Sequence, residues 1–448
     1  MKCADVLVVG AGPVGCACAL AFAQRGAHVV LLEAARSAPR RLAGEWIQPA
    51  GLDALRRLGV DLPAASGCVS HRGFLVHPGD GTRPIALPYP DGEAVTLGHA
   101  ELATLMRRTA EQHPRIELRT GERALHTTAS GTVRTTQQVH RADLVVGADG
   151  RTSAVRSALT EGRGASGGAT RDPAHRRKVS LSHMAGLLLS DVDLPEEGYG
   201  HVLLGGPGPA LAYRLGPRTL RLFLDVPLAR PTGAELRRYL WHGYADALPP
   251  MVRPGLAQEL RTGRVQWAAN HFRRRDFYGR GRCALVGDAV GCSHPLTASG
   301  MTVGFLDAEA LSRSPDVDSY ARARSAECWV LDRLSAGIHR ILTEETPTTR
   351  VLRQAMFDTW RSSPKQRDRT LRLLAMTETR GLAFGSAFLN VFFQALASSA
   401  QAAASTGQWT GLARDLSGLA GWLEWISGPK VGIPPQPRGR RSVAFLGL

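Results

Sequence analysis

The sequence has little of what marks several common protein classes. Its seven cysteines (Cys3, Cys16, Cys18, Cys68, Cys283, Cys292, Cys328) are odd in number and scattered, with no C-x-x-C pair. That argues against a disulfide framework, and buried reduced thiols in a reducing cytoplasm are expected. No run of eighteen or more strongly apolar residues spans a bilayer. The N-terminus opens directly into a strand pattern, without the charged-then-apolar layout of a secretion signal. Internal repeats, metal-ligand spacings and a nucleophile–base–acid signature are all lacking, so no metal site is expected. The net charge of +16 comes without any zinc-finger, RNA-recognition or helix-turn-helix pattern, and is read as solvated charge rather than a nucleic-acid footprint.

What is present is a set of strand ends carrying glycine and acid. Residues 5–9 are apolar after the first, as in a strand buried on both faces. Gly10-Ala11-Gly12-Pro13-Val14-Gly15 follows, then an alanine-rich helix to about Arg25, closed by Gly26. A second strand, residues 28–32, ends at Glu33. The glycines permit a tight turn and close approach of backbone to a pyrophosphate, and Glu33 can grip a ribose hydroxyl. A carboxylate there disfavours a 2′-phosphate, which points to FAD or NAD over NADP.

Two more corners share this design. Residues 144–146 run into Gly147-Ala148-Asp149-Gly150-Arg151, and residues 284–286 into Gly287-Asp288. The second continues through a small-residue loop containing Pro295 and Thr297. From about Ser299 a helical pattern begins, with Met301, Phe305 and Leu306 on one side. An ionised acceptor at a strand end suits a ribityl hydroxyl. The helix start beyond it suits an anionic ring edge or a phosphate.

Elsewhere, residues 73–89 read as a hairpin, 100–112 as a helix and 116–118 as a strand. Residues 162–178 read as a flexible loop. Residues 201–204, 210–215 and 219–226 suggest an antiparallel sheet. Helices follow at 319–341, 349–360, 369–377 and 382–404. The last lies in a stretch, 381–413, that has no charged residue, and Phe384, Phe388, Phe392 and Leu396 recur at steps of four. It is either a core-packed helix or a lid that meets a membrane or a greasy substrate. Short basic knots occur at Arg40-Arg41, Arg176-Arg177-Lys178, Arg273-Arg274-Arg275 and residues 438–441.

With the three corners in this order, the chain resembles the single-component FAD-dependent monooxygenases, and among them the squalene monooxygenases. HPLTASGMTV (residues 294–303) is similar to that family's flavin loop, and EWIQPAGLDALRRLGV, GFLVHPGDG, IALPYP and HVLLGGPGPALAY are similar to other family segments in the same order. SGPKVGI (residues 427–433) resembles one more. The resemblance implies an α/β fold: a Rossmann-type FAD-binding domain (1–70, 99–160, 276–315), a mixed or antiparallel β-sheet substrate domain (71–98, 161–275) and a helical C-terminal region (316–448). It implies FAD as cofactor, held by Gly10, Gly12, Pro13, Gly15, Glu33, Asp149, Gly150, Gly287, Asp288, Pro295, Gly300 and Met301. Pro295, Thr297, Gly300, Met301 and Phe74 would line the reacting side. NAD(P)H would donate electrons, directly or through a reductase, and O2 would react beside a hydrophobic substrate. The implied reaction is epoxidation of an isoprenoid alkene through a flavin hydroperoxide. Hydroxylation of a lipophilic aromatic ring and reduction of prenyl double bonds are the alternatives. The implied place is the cytoplasm, in peripheral contact with a membrane. Ala298 and Ser299 stand where the family has glycines, Phe74 where it tends to have Tyr, and His99 or Glu101 where it has Arg.

Overall fold

The computed structural model describes residues 4–37, 42–62, 67–161, 179–407 and 409–428. The stretch 162–178, the basic knots at 40–41, 176–178 and 438–441, and segment 427–433 beyond Gly428 lie outside these residues.

The strand Ala4–Val9 sits at the centre of a parallel sheet. It pairs with Val29–Glu33 on one side and Val139–Gly147 on the other, with Val6 opposite both Val29 and Leu144. Ile116–Thr120 extends the sheet beyond the former, and Cys283–Leu285 beyond the latter. Leu7, Val8, Leu31, Val145 and Val146 are fully buried, because helices cover both faces of these strands. Pro13–Ala23 and Gly300–Arg313 pack against each other on one face of this sheet. A short antiparallel meander, Ala124–Thr127 and Thr132–Thr135, hangs on the start of Val139–Gly147.

A second, seven-stranded sheet runs in the order Gln266–Phe272, Val179–Ser190, Thr219–Pro227, Ala210–Gly216, Gly200–Leu203, Gly73–His77, Ile85–Pro88. All its pairings are antiparallel except that of Gly200–Leu203 with Gly73–His77. The hairpin expected at 73–89 is therefore an edge of this sheet. One face packs Leu187, Leu222 and Leu224 against Tyr244 and Leu256. Those two residues belong to helices Ala234–Tyr244 and Arg253–Thr262, which the alternation around them did not announce. The other face presents Phe74, Val202, Leu211 and Tyr213 towards the C-terminal helices. A small third sheet joins Trp46–Ile47, Ala94–Thr96 and Val69–His71.

The C-terminal helices are Val317–Thr343, Pro347–Ser362, Pro364–Leu374, Gly381–Thr406 and Trp409–Ser427. The third begins earlier than the expected 369, because Ser363 caps it and Pro364 supplies its first position. The fifth was not anticipated. In Gly381–Thr406, Phe384 and Phe392 are buried while Phe388 and Leu396 are half-buried, so the four-residue stripe faces the core. Leu382 (89% exposed) and Phe393 (61%) point outward instead. Against the expectation of no spanning run, this helix is long and apolar enough to cross a membrane by length and composition. Its alanines and serines dilute the apolar signal that a search for strongly apolar runs requires.

Candidate active site

The three glycine-acid corners meet. Gly10 adopts φ +104°, and a Cβ there would lie 2.7 Å from the Ala148 carbonyl oxygen. A Cβ on Gly15 would lie 1.8 Å from the Gly10 oxygen, so helix Pro13–Ala23 crosses its strand in backbone contact. Ala148 N–H donates to Val9 O (2.9 Å), which holds the second corner against the first. Gly287 packs on Val14, and its N–H donates to Asp307 (2.8 Å). Arg151 from the second corner donates to Asp288 in the third (3.1 Å). Arg156 clamps the latter from behind, through the Ala289 carbonyl (2.6 Å).

Between the corners lie groups without protein partners. A Cβ on Gly12 would meet nothing within 4 Å, and no side chain caps the helix that starts there. The N–H groups and positive dipole end of that turn are therefore offered to an anion. Asp149 uses Oδ2 to cap the next helix, accepting from Ala154 (2.7 Å) and Val155 (3.2 Å). Its Oδ1 is buried with no partner. Glu33 accepts from Ala11 N–H (3.0 Å) and Ala35 N–H (2.9 Å), and pairs with the buried Arg107 (2.9 Å). Arg107 also donates to Ala11 O (2.7 Å), tying the glycine turn to the acid that faces it. An open glycine cradle, an orphaned carboxylate oxygen and a fixed acid at the second strand's end fit the phosphates and hydroxyls of FAD.

The Pro295 loop completes the site. Pro295–Thr297 is a single 3₁₀ turn, and Ala298 follows in the left-handed region at φ +49°. Helix Gly300–Arg313 then begins with no side-chain cap at Ser299. Asp288 lies close by, its Oδ1 3.8 Å from where a Gly300 Cβ would be. Thr297 Oγ1 shares hydrogen bonds with Ser299 (3.0 Å) and Ser335 (3.1 Å). Gln48, fully buried, donates from its side chain to Thr297 O (3.0 Å) and from its backbone to Thr302 Oγ1 (3.1 Å).

His294 anchors the loop's other end. Its Nδ1 accepts from Leu296 N–H (3.2 Å), which leaves the ring proton on Nε2. Nε2 therefore donates to Asp225 (3.2 Å) and Ser182 (3.1 Å), on which the Asn270 amide also converges as a donor (3.0 and 2.9 Å). His339 lies against this ring, centroids 4.2 Å apart, and burial pushes its pKa down to about 3. Asp225, His294 and His339 are close enough together to invite a metal. The proton on His294 Nε2 blocks the lone pair a metal would need, so the cluster reads as a hydrogen-bonded anchor.

Beyond the loop the wall is aromatic. Trp46 stacks on Phe74 (centroids 4.8 Å) and His71 (4.5 Å), and meets Tyr213 edge-on. Leu296 and Ala298 belong to the same apolar cluster, which continues into Leu352, Met356 and Phe392 of the C-terminal helices. Met301 sits beside Gly44 at the rim. Behind the Asp288 corner, Arg156, Thr160, Arg273, Arg274, Asp276, Phe277 and Val290 line a separate cavity of about 140 Å³.

The residues singled out in the sequence thus fall in one region, from Gly10 through Asp149 and Asp288 to Met301 and Phe74. Arg107, Arg156, Trp46, Gln48 and Tyr89 were not singled out. Gln48 had a signal, being a polar residue amid the apolar positions of EWIQP. Arg107 had none, since only the fold brings its helix to Glu33.

A family model described as FAD binding domain matches residues 3–314. The chain is similar to the squalene epoxidase of Aspergillus fumigatus, 30% identical over 68% of this chain and 64% of that protein. It is similar to the squalene epoxidase of Schizosaccharomyces pombe, 25% identical over 83% and 85%, and to the squalene monooxygenase of Rattus norvegicus, 25% identical over 79% and 64%. It therefore spans just under two thirds of the Aspergillus and rat relatives. Among solved structures, 2-methyl-3-hydroxypyridine-5-carboxylic acid oxygenase matches with a TM-score of 0.63 at 19% identity, over 84% of this chain and 98% of that one. PqsL of Pseudomonas aeruginosa, solved with 2-aminobenzoylacetate, matches at 0.59 and 21%, over 83% and 99%. These two likenesses concern the fold.

Proposed function

The chain belongs to the FAD binding domain family, and on that premise we propose that it is a FAD-dependent monooxygenase acting on a lipophilic isoprenoid alkene. One observation carries the reading: an open Gly12 cradle and an orphaned Asp149 oxygen stand beside a loop that opens onto an aromatic, apolar wall. The names of the squalene epoxidase relatives favour an alkene over a phenol.

Bound there, FAD would supply two-electron redox chemistry and activation of O2. One oxygen atom goes to the alkene and the other leaves as water, with two electrons and two protons from the donor. The chain's part is position, dryness and charge. Gly10, Gly12, Pro13 and Gly15 would hold the pyrophosphate, Glu33 the adenosine ribose, and Asp149, Gly150, Gly287 and Asp288 the ribityl region. The uncapped start of helix Gly300–Arg313, with Pro295, Thr297, Gly300 and Met301, would offer N–H groups to developing negative charge on the ring. Phe74 and Trp46 would keep water out and hold the alkene by burial alone.

The electron donor is NAD(P)H or a reductase that uses it. The arginine-lined cavity behind Asp288 supports a direct visit by the dinucleotide, because guanidinium pairs suit phosphate. Leu382, Leu389, Phe393, Trp409 and Leu416 stand in solvent on the last two helices, which favours peripheral contact with a membrane that stores the substrate.

The test is an oxygen-dependent product assay. Purified protein should be yellow, with flavin absorbance, and with NAD(P)H, a reductase and squalene or another prenyl alkene should yield epoxide. Failure to epoxidise any such alkene overturns the substrate class, and NAD(P)H consumption triggered by phenols alone would select ring hydroxylation. Sedimentation with anionic vesicles, lost in Leu382→Ser/Phe393→Ser, checks the membrane contact.

A further inference from the structure

One hydroxyl linked to the Pro295 loop through a single side chain comes from a residue not singled out in the sequence. Tyr89, which follows the strand Ile85–Pro88, is buried, and its hydroxyl donates to Gln48 Oε1. The same hydroxyl accepts from Trp46 Nε1 (3.3 Å). Phe74, stacked on Trp46 and edge-on to Tyr89, has no hydroxyl to offer. Gln48 in turn ties the turn to the helix that follows it, through Thr297 O (3.0 Å) and Thr302 Oγ1 (3.1 Å).

This chain of bonds has one sense. With Oε1 claimed by the Tyr89 hydroxyl, the Gln48 NH2 must face Thr297 O. A flipped amide would set two oxygens against each other at Thr297, around a fully buried Gln48. The direction of the amide is thus fixed from the sheet side, and the loop position follows from the amide. We propose that Tyr89 is a positioning residue, acting through Gln48 to hold the Pro295–Ala298 turn and the uncapped helix start where they serve the bound flavin ring. Burial keeps the phenol protonated, its pKa driven far above the ordinary tyrosine range, so it stays a donor at every working pH. The N–H groups at Gly300 and Met301 favour the reduced, anionic ring only if they stay aimed, and a loosened loop lowers that preference.

The inference rests on the FAD reading, and the experiment separates the two. Wild-type protein, Tyr89→Phe, Gln48→Met and the double variant are saturated with FAD, and their visible spectra and midpoint potentials are recorded beside urea midpoints. Wild-type protein that takes up no FAD sinks the cofactor reading itself. The positioning role predicts that Tyr89→Phe weakens binding of reduced relative to oxidised FAD about tenfold, a fall of about 30 mV for a two-electron couple. Gln48→Met should shift the potential equally, and the double variant no further, because both sit on one path. Wild-type spectra and potentials in both single variants, or shifts that add in the double, overturn it.

Discussion

Gly12 and Gly15 stand three residues apart in one turn, yet an added methyl should act on different states of the protein. At Gly15 a Cβ would lie 1.8 Å from the Gly10 oxygen and 3.0 Å from its carbon. Ordinary contact begins near 3.4 Å, so the helix would have to leave its strand by more than an ångström. Forced separation of this kind costs about 1–3 kcal/mol or more, with no ligand present. At Gly12 the backbone is extended (φ −73°, ψ 177°) and a Cβ would meet nothing within 4 Å. Alanine there should leave the apoprotein unchanged, or raise its stability by about 0.4–1 kcal/mol through the unfolded chain. Its methyl would instead occupy the place offered to the pyrophosphate. Losing one charge-assisted hydrogen bond costs about 1.5–3 kcal/mol, which is ~10–100-fold in FAD affinity. Urea unfolding of the apoproteins and fluorescence titration with FAD read the two effects separately. Gly12→Ala that binds FAD like wild type would refute the cradle, and Gly12→Ala that destabilises the apoprotein would refute the reading of open space.

Glu45 and Arg221 form a buried two-bond ion pair (2.8 and 2.5 Å), with Tyr213 also donating to the carboxylate. Arg221→Met leaves that charge buried and should lower stability by about 3–5 kcal/mol, while adding Glu45→Leu should restore most of it; urea midpoints decide. Arg273→Ala/Arg274→Ala should raise KM for NAD(P)H about tenfold and leave FAD affinity unchanged, as steady-state kinetics beside FAD titration would show. Burial pushes His71 down to about 4. Its folded pKa lies below the unfolded value near 6.5, so its contribution is complete above pH ~6.5 and is lost as pH falls towards 4. The loss should approach about 3 kcal/mol across that window, and urea midpoints for His71→Gln should fall less steeply with acid than those of wild type.

The parallel sheet was the easiest part to read from sequence, for a physical reason. Strands buried on both faces carry unbroken apolar runs, and glycines mark where their ends turn, so residues 5–9, 28–33 and 144–151 announce themselves. The helices Ala234–Tyr244 and Arg253–Thr262 do not, because each buries only a narrow stripe (Leu240 and Tyr244; Leu256 and Leu260) among charged residues. The site divides in the same way. Gly10, Asp149 and Asp288 sit in local patterns that their chemistry demands. Arg107 and Tyr89 act across 74 and 41 positions of sequence, and no local pattern encodes such a distance. The stripe on Gly381–Thr406 shows a further limit. Its periodicity told correctly that one face is apolar, but not that the face was already covered.

Ala298 shows why so many polar groups gather under one short loop. An alanine in the left-handed region costs about 1–2 kcal/mol, a cost that glycine at the same place escapes. Such a conformation persists only where its neighbours over-determine it. Here Thr297 is held by Gln48, Ser299 and Ser335, and Leu296 by His294, which is itself held by Asp225. Each bond alone is worth about 1 kcal/mol, so two of them offset the strain and the rest leave the turn with a single conformation. A glycine loop reaches the same shape without strain but also reaches others. The two alanine and serine positions therefore exchange backbone freedom for a fixed rim, and the rim can stay fixed only while His294, Gln48 and Ser335 remain buried and paired.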